Sequence, residues 1–139
     1  MQLVLDTNIV LDLLVFGDPQ VQAVSSGLAA GSLHWLATGA MREELARVLQ
    51  YPKLAPRVAH HRGGAEQVLA DFDRHTRLVE VPGKAGITCG DPDDQKFIDL
   101  AVAHRCTLLS KDFEVLRMRK RLARLQVVAS SCLAAQSLA

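Results

Sequence analysis

The stretch "DPDDQKFIDLAVAHRCTLLSKDF", residues 91–113, decides the fold class. Its first part carries Phe97, Ile98 and Ala101 at helical spacing. "CTLLS" (106–110) is a short apolar run of strand type, and Asp112 follows it. A helix that feeds directly into a short buried strand is half of a βαβ unit. Working outward, the pattern recurs. "QLVLD" (2–6), "LHWLAT" (33–38), "TRLVEV" (76–81) and "LQVVA" (125–129) read as further strands. Between them, helical patterns cover "NIVLDLLVF" up to Gly17, "QVQAVSSGLAA" (20–30) up to Gly31, and "AMREELARVLQ" (40–50). Residues 56–75 follow with a weak point at Gly63-Gly64, and "FEVLRMRKRL" (113–122) closes the set. Short apolar strands alternating with helices predict a parallel sheet in an α/β fold.

The chain has 139 residues, enough for one domain over 1–139. Apolar residues at 49% and charged ones at 22% argue against disorder. No apolar run approaches the roughly 20 residues of a membrane span. The chain enters its first strand with no basic segment before it, so a cytoplasmic location is expected. Cys89, Cys106 and Cys132 are odd in number and too widely spaced for a CxxC site. They read as buried or half-buried thiols. The net charge of +1 advertises no overall attraction to nucleic acid.

Carboxylates gather where the strands end. In a parallel sheet, ligands bind at the carboxyl edge of the strands. Asp6 ends the first strand, Asp112 lies just past "CTLLS", and the remaining candidates sit near helix starts at that same edge. Helical angles sort them. Asp94 falls on the apolar stripe of Phe97, Ile98 and Ala101, whereas Asp99 falls about 150° away, toward solvent. Glu44 borders the stripe of Met41, Leu45, Val48 and Leu49, while Glu43 lies opposite. Capping accounts for part of this pattern: Asp91 before Pro92, Asp112 before Phe113 and Asp6 near Asn8 are good N-caps. It does not account for an inward Asp94, since a carboxylate on an apolar face is costly without a partner.

Clustered carboxylates repel, and hard divalent cations relieve that conflict. Mg²⁺ or Mn²⁺, as one or two ions, suits an oxygen-only donor set and phosphate chemistry. No Walker loop and no G-x-S-x-G elbow offers another chemistry. "RMRKRLAR" (117–124) supplies Arg117, Arg119, Lys120, Arg121 and Arg124, a dense basic run suited to a nucleic-acid backbone. His60, His61 and Arg62 are lesser candidates for the same contact. Aromatic residues are only 4%, so base stacking carries little of the binding.

"LVLDTNIVLDLL", "AMREELARVLQYPKL" and "DPDDQKFIDLAVAHRCTLLSKDFEVL", followed by a terminal strand, together resemble the PIN domain family over roughly residues 2–133. The branch most resembled is the bacterial, VapC-like toxin component of type II toxin–antitoxin systems. The resemblance implies a three-layer α/β/α sandwich around a mostly parallel, Rossmann-like sheet. It implies a metal-dependent endoribonuclease acting on single-stranded RNA, with an antitoxin partner and a homodimer. Carried over residue by residue, it implies Asp6, Glu44, Asp94 and Asp112 as catalytic metal ligands. Asp91 would be an outer ligand, with Asn8 and Ser110 in support. Two positions depart from the pattern: Ser110-Lys111-Asp112 stands where relatives often have T-x-D, and Gln95 where many have Asn. Neither removes a carboxylate. Two other readings compete. One is a PIN-like scaffold that binds RNA or protein without cutting. The other is a Mg²⁺-binding receiver-type signalling domain, for which paired acids after the first strand and a phosphoacceptor aspartate are missing.

Overall fold

Among the described residues, five short strands carry the chain through its centre: β1 (Gln2–Leu5), β2 (His34–Ala37), β3 (Thr76–Leu78), β4 (Thr107–Leu109) and β5 (Val128–Ser130). The computed structural model describes residues 1–61 and 63–133, so Arg62 lies outside the described residues. All four strand pairings are parallel, in the order β3-β2-β1-β4-β5. The expected α/β architecture around a parallel sheet is therefore present.

The helices are α1 (Thr7–Leu11), α2 (Gln22–Ala30), α3 (Gly39–Val48), α4 (Ala55–His60), α5 (Gly64–His75), α6 (Gln95–His104), α7 (Phe113–Leu116) and α8 (Arg119–Arg124). A π-helical turn, Asp12–Phe16, prolongs α1, and 3₁₀ turns at Pro19–Val21 and Pro92–Asp94 lead into α2 and α6. Right-handed crossovers put α1 to α5 on one face, because β1, β2 and β3 march one way, and α6 to α8 on the other. The π-helical turn after α1 and helix α2 stop at Gly17 and Gly31, whose φ of 60° and 76° suit the left-handed residue that closes a helix.

Strands β1 and β4 are covered along their apolar residues: Leu3, Val4, Leu108 and Leu109 are at most 1% exposed. Parallel strands buried on both faces need such uninterrupted apolar runs. Across β2, Trp35 packs edge-on against Phe72 of α5 with ring centroids 5.1 Å apart. Among the described residues no helix is long and apolar enough to cross a membrane.

Three boundaries differ from expectation. β5 begins three residues later than "LQVVA" suggests, because α8 runs on to Arg124 and Gln126 takes a positive φ of 66°. β3 ends at Leu78, short of Val81. Residues 113–122 form two helices, broken at Arg117-Met118, with Val115, Met118 and Leu122 buried beneath the break. Cys89 and Cys106 are buried, but Cys132 is exposed, against the expectation of a buried or half-buried thiol.

Because Trp35 joins the sheet to α5 through a filled contact, Trp35→Ala should lower the free energy of unfolding by about 3–5 kcal/mol. Urea denaturation of the purified variant measures this directly.

Candidate active site

The strand order reverses direction at β1, where β4 lies on the side away from β2. Such a switch point opens a crevice beyond the carboxyl ends of the strands. The register Leu5↔Leu109 sets Asp6 beside Ser110 across that gap. The Asp6 N–H donates to the Leu109 carbonyl at 2.9 Å, and the Ser110 hydroxyl donates to Asp6 Oδ2 at 2.6 Å. Ser110 Oγ in turn accepts the Asp112 N–H at 3.0 Å. One buried hydroxyl therefore fixes both acids that follow the central strands.

Capping and site placement turn out to coexist. Asp6 Oδ1 accepts the Asn8 N–H at the start of α1, Asp91 Oδ1 accepts the Asp93 N–H, and Asp112 Oδ1 accepts the Glu114 N–H at the start of α7. In each case the helix takes one oxygen of a two-oxygen group. Asp94 differs. It precedes α6, makes no cap bond, and turns inward as the helical angle predicts. It is 7% exposed, and its Oδ2 is buried without a hydrogen-bond partner among the described residues.

Asp91, Asp94 and Asp112 converge, with one oxygen of each within 4.8 Å of the others. Burial, a hydrogen bond shared with Asp112, and the charges of Asp6, Asp112 and Asp91 push the Asp94 carboxyl up to about 8. Burial likewise raises Asp6, against the lowering effect of its bonds from Ser110 and Asn8. The sequence reading placed Asp91 in an outer role; here it stands within the convergent set.

Glu44 and Asp6 stand outside that triplet. Both line, with Asp94 and Asn8, a cavity of about 730 Å³. Glu44 Oε2 accepts the Thr7 hydroxyl at 2.8 Å and pairs with Lys96 Nζ at 3.2 Å. Away from the acids the cavity wall turns apolar, through Leu11, Phe16, Val48, Tyr51 and Leu54, and Lys53 also lines it. Asn8 lines the cavity, and its backbone N–H serves the Asp6 cap.

Several contributors escape a reading by apolar stripes. Thr7 and Lys96 hold Glu44. Lys111 pairs with the buried Asp12 of the π-turn at 2.6 Å, tying the loop after β4 to α1. Gln95 accepts the Cys89 N–H and donates to the Ile87 carbonyl and to Asp99, while Asp99 also accepts the Ala85 N–H. Asp99 is therefore half-buried and clamps the loop that delivers Asp91; it does not point to solvent. Its helical angle was read correctly, but the loop folds over that face and supplies the donors. An amide directly after the paired acids Asp93-Asp94, with another acid four further on, is the only sequence signal for such a clamp.

The five bases of the 117–124 run are all exposed, but they do not form one cluster beside the acids. Arg117 follows α7 closely, pairs with Glu114 at 3.6 Å and covers the Phe113 ring. Arg119, Lys120, Arg121 and Arg124 lie on α8, which descends toward the opposite edge of the sheet, where Arg124 lies with Val102, Arg105 and Gln126. His60 is exposed at the end of α4.

Comparison with known proteins fits this fold. A sequence model described as PIN domain matches residues 2–114. Among solved structures, VapBC2 from Rickettsia felis, crystallised with a DNA fragment from its promoter, superposes with a TM-score of 0.62 at 16% identity. The match covers 93% of this chain and 98% of the other. No curated protein matches.

The elevated Asp94 carboxyl sets a pH dependence for the metal-free protein. An acid whose folded pKa lies above its unfolded value near 3.8 holds its proton more tightly when folded. That stabilisation is complete below the unfolded value and is lost as pH rises to about 8. With chelator present, the melting temperature should therefore fall between about pH 5 and about pH 8. Asp94→Asn should shrink the fall and melt above wild type at the alkaline end; an unchanged slope would refute the assignment.

Proposed function

Because this chain belongs to the PIN domain family, we propose that it is a divalent-metal-dependent endoribonuclease that hydrolyses phosphodiester bonds of single-stranded RNA. The observation that carries the reading is the buried, unpartnered Asp94 Oδ2 beside Asp91 and Asp112. A fold leaves such an oxygen bare only at a cost, unless a cation meets it. The donor set is carboxylate oxygen throughout, which suits Mg²⁺ or Mn²⁺ and is a poor match for softer metals. Asp91, Asp94 and Asp112 would hold the ion, with Asp6 and Glu44 facing the same cavity. When bound, such an ion supplies positive charge against the phosphodiester and makes a water more acidic.

The chain's own residues do the rest. Asp6, oriented by Ser110 and raised by burial, would take a proton from the attacking water. Glu44 is held in line by Thr7 and Lys96. The Gln95–Asp99 clamp keeps the loop before Asp91 from drifting, which matters because a misplaced group can forfeit much of a reaction's rate. Arg117 and the bases of α8 offer a track for backbone phosphates leading away from the site.

The chain is further read as the toxin of a cytoplasmic toxin–antitoxin pair. The similar Rickettsia felis structure is of a complex named VapBC2. The apolar wall beyond Glu44 suits an antitoxin segment that covers the acids, and a homodimer would present two such sites.

The test is cleavage of a mixed single-stranded RNA pool with Mn²⁺ or Mg²⁺. Activity should vanish with chelator and in Asp94→Asn. Ser110→Ala should retain the fold and lose about 10–100-fold, as expected when an outer partner of a site ligand is removed. Metal binding without cleavage would favour the scaffold reading, and cleavage that survives both controls would place the activity elsewhere.

A further inference from the structure

The carboxylates of the site divide into two groups with different partners. Asp91, Asp94 and Asp112 converge within 4.8 Å, and no lysine or arginine pairs with any of them among the described residues. Glu44 stands apart and already has a cation. Its Oε2 lies 3.2 Å from Lys96 Nζ, and the same oxygen takes the Thr7 hydroxyl. Lys96 is no loose surface lysine. Its ammonium also donates to the Asp93 carbonyl oxygen and lies 4.9 Å from the centre of the Phe97 ring. Its side chain is 29% exposed and that of Glu44 is 19% exposed, so the pair is partly shielded from water and salt.

Lys96 also sits in the first turn of α6, two residues after Asp94. It is carried by the helix whose start supplies two of the three convergent aspartates. Three contacts from three different groups therefore fix one positive charge beside Glu44, which lines the cavity. A second divalent ion at Glu44 would have to evict it, breaking the ion pair and the carbonyl bond and losing the contact with the Phe97 ring.

We infer that Lys96 stands in for a second metal ion: the site takes one divalent cation, at Asp91, Asp94 and Asp112, and Lys96 supplies the other positive charge beside Glu44. The inference rests on the metal-dependent reading of the site and deepens it, by assigning the ion count and a resident cation. A lysine in this role serves as a point charge toward a phosphate, which matches its chemistry.

Ion counting tests it without recourse to activity. Mn²⁺ is titrated into the intact protein, with free Mn²⁺ read by electron paramagnetic resonance and stoichiometry checked by calorimetry. Wild type should bind one ion per chain. Lys96→Met should bind two, the second at least about tenfold tighter than any second ion on wild type. Adding Glu44→Gln to Lys96→Met should abolish the second ion and spare the first. Lys96→Gln, which keeps a donor for the Asp93 carbonyl without the charge, serves if Lys96→Met fails to fold and should likewise bind two. Two ions on wild type, or one on a folded charge-less variant, would overturn the inference. The underlying reading fails separately, and only if Asp94→Asn binds as many ions as wild type.

Discussion

Three aspartate oxygens held within 4.8 Å of one another repel, and burying one of them raises the cost further. The remainder of the molecule makes that arrangement possible. The apolar runs of β1 and β4 bury themselves side by side, and their pairing register brings the residues that follow them face to face. A parallel sheet delivers its loops to one edge. Segments far apart in the chain, 6, 44, 91–94 and 110–112, thereby meet without any long connection having to fold specially.

The energetic tension is spread over several devices. Helix starts absorb one oxygen from each of Asp6, Asp91 and Asp112. Ser110 binds Asp6 and the Asp112 backbone together. Lys96 neutralises Glu44, and Lys111 neutralises the buried Asp12 nearby. What is left over is concentrated on Asp94, whose carboxyl answers by holding its proton far above the usual range. Perturbation of this kind, at the carboxyl edge of a sheet and beside a cavity, is a common mark of a working site.

Much of this could be read from the residues, because it depends on periodicity. The strands were legible as short apolar runs, and the inward turn of Asp94 and the lean of Glu44 followed from angles of about 100° per residue. Strand ends were legible only roughly, since Gln126 reverses the chain by a backbone conformation that composition does not announce. The partners were hidden for a different reason. Thr7–Glu44 spans 37 positions and Lys96–Glu44 spans 52, so no local pattern reports them. Asp99 was misjudged because a helical wheel knows a helix's own faces and nothing of the loop laid across one of them. The basic run was legible as a charge pattern, but composition did not announce the break at Arg117-Met118 that separates Arg117 from the four bases of α8.

That three aspartates serve as helix caps has an evolutionary corollary. A descendant of this chain that had abandoned chemistry would still be held to Asp6, Asp91 and Asp112, or to other capping residues, by the needs of folding alone. Asp94 contributes no such cap, and its burial is a burden on the native state. Asparagine, leucine or alanine there would relieve that burden, so position 94 should be the first to drift in a lineage under no catalytic selection, and its identity the better indicator of which relatives remain active.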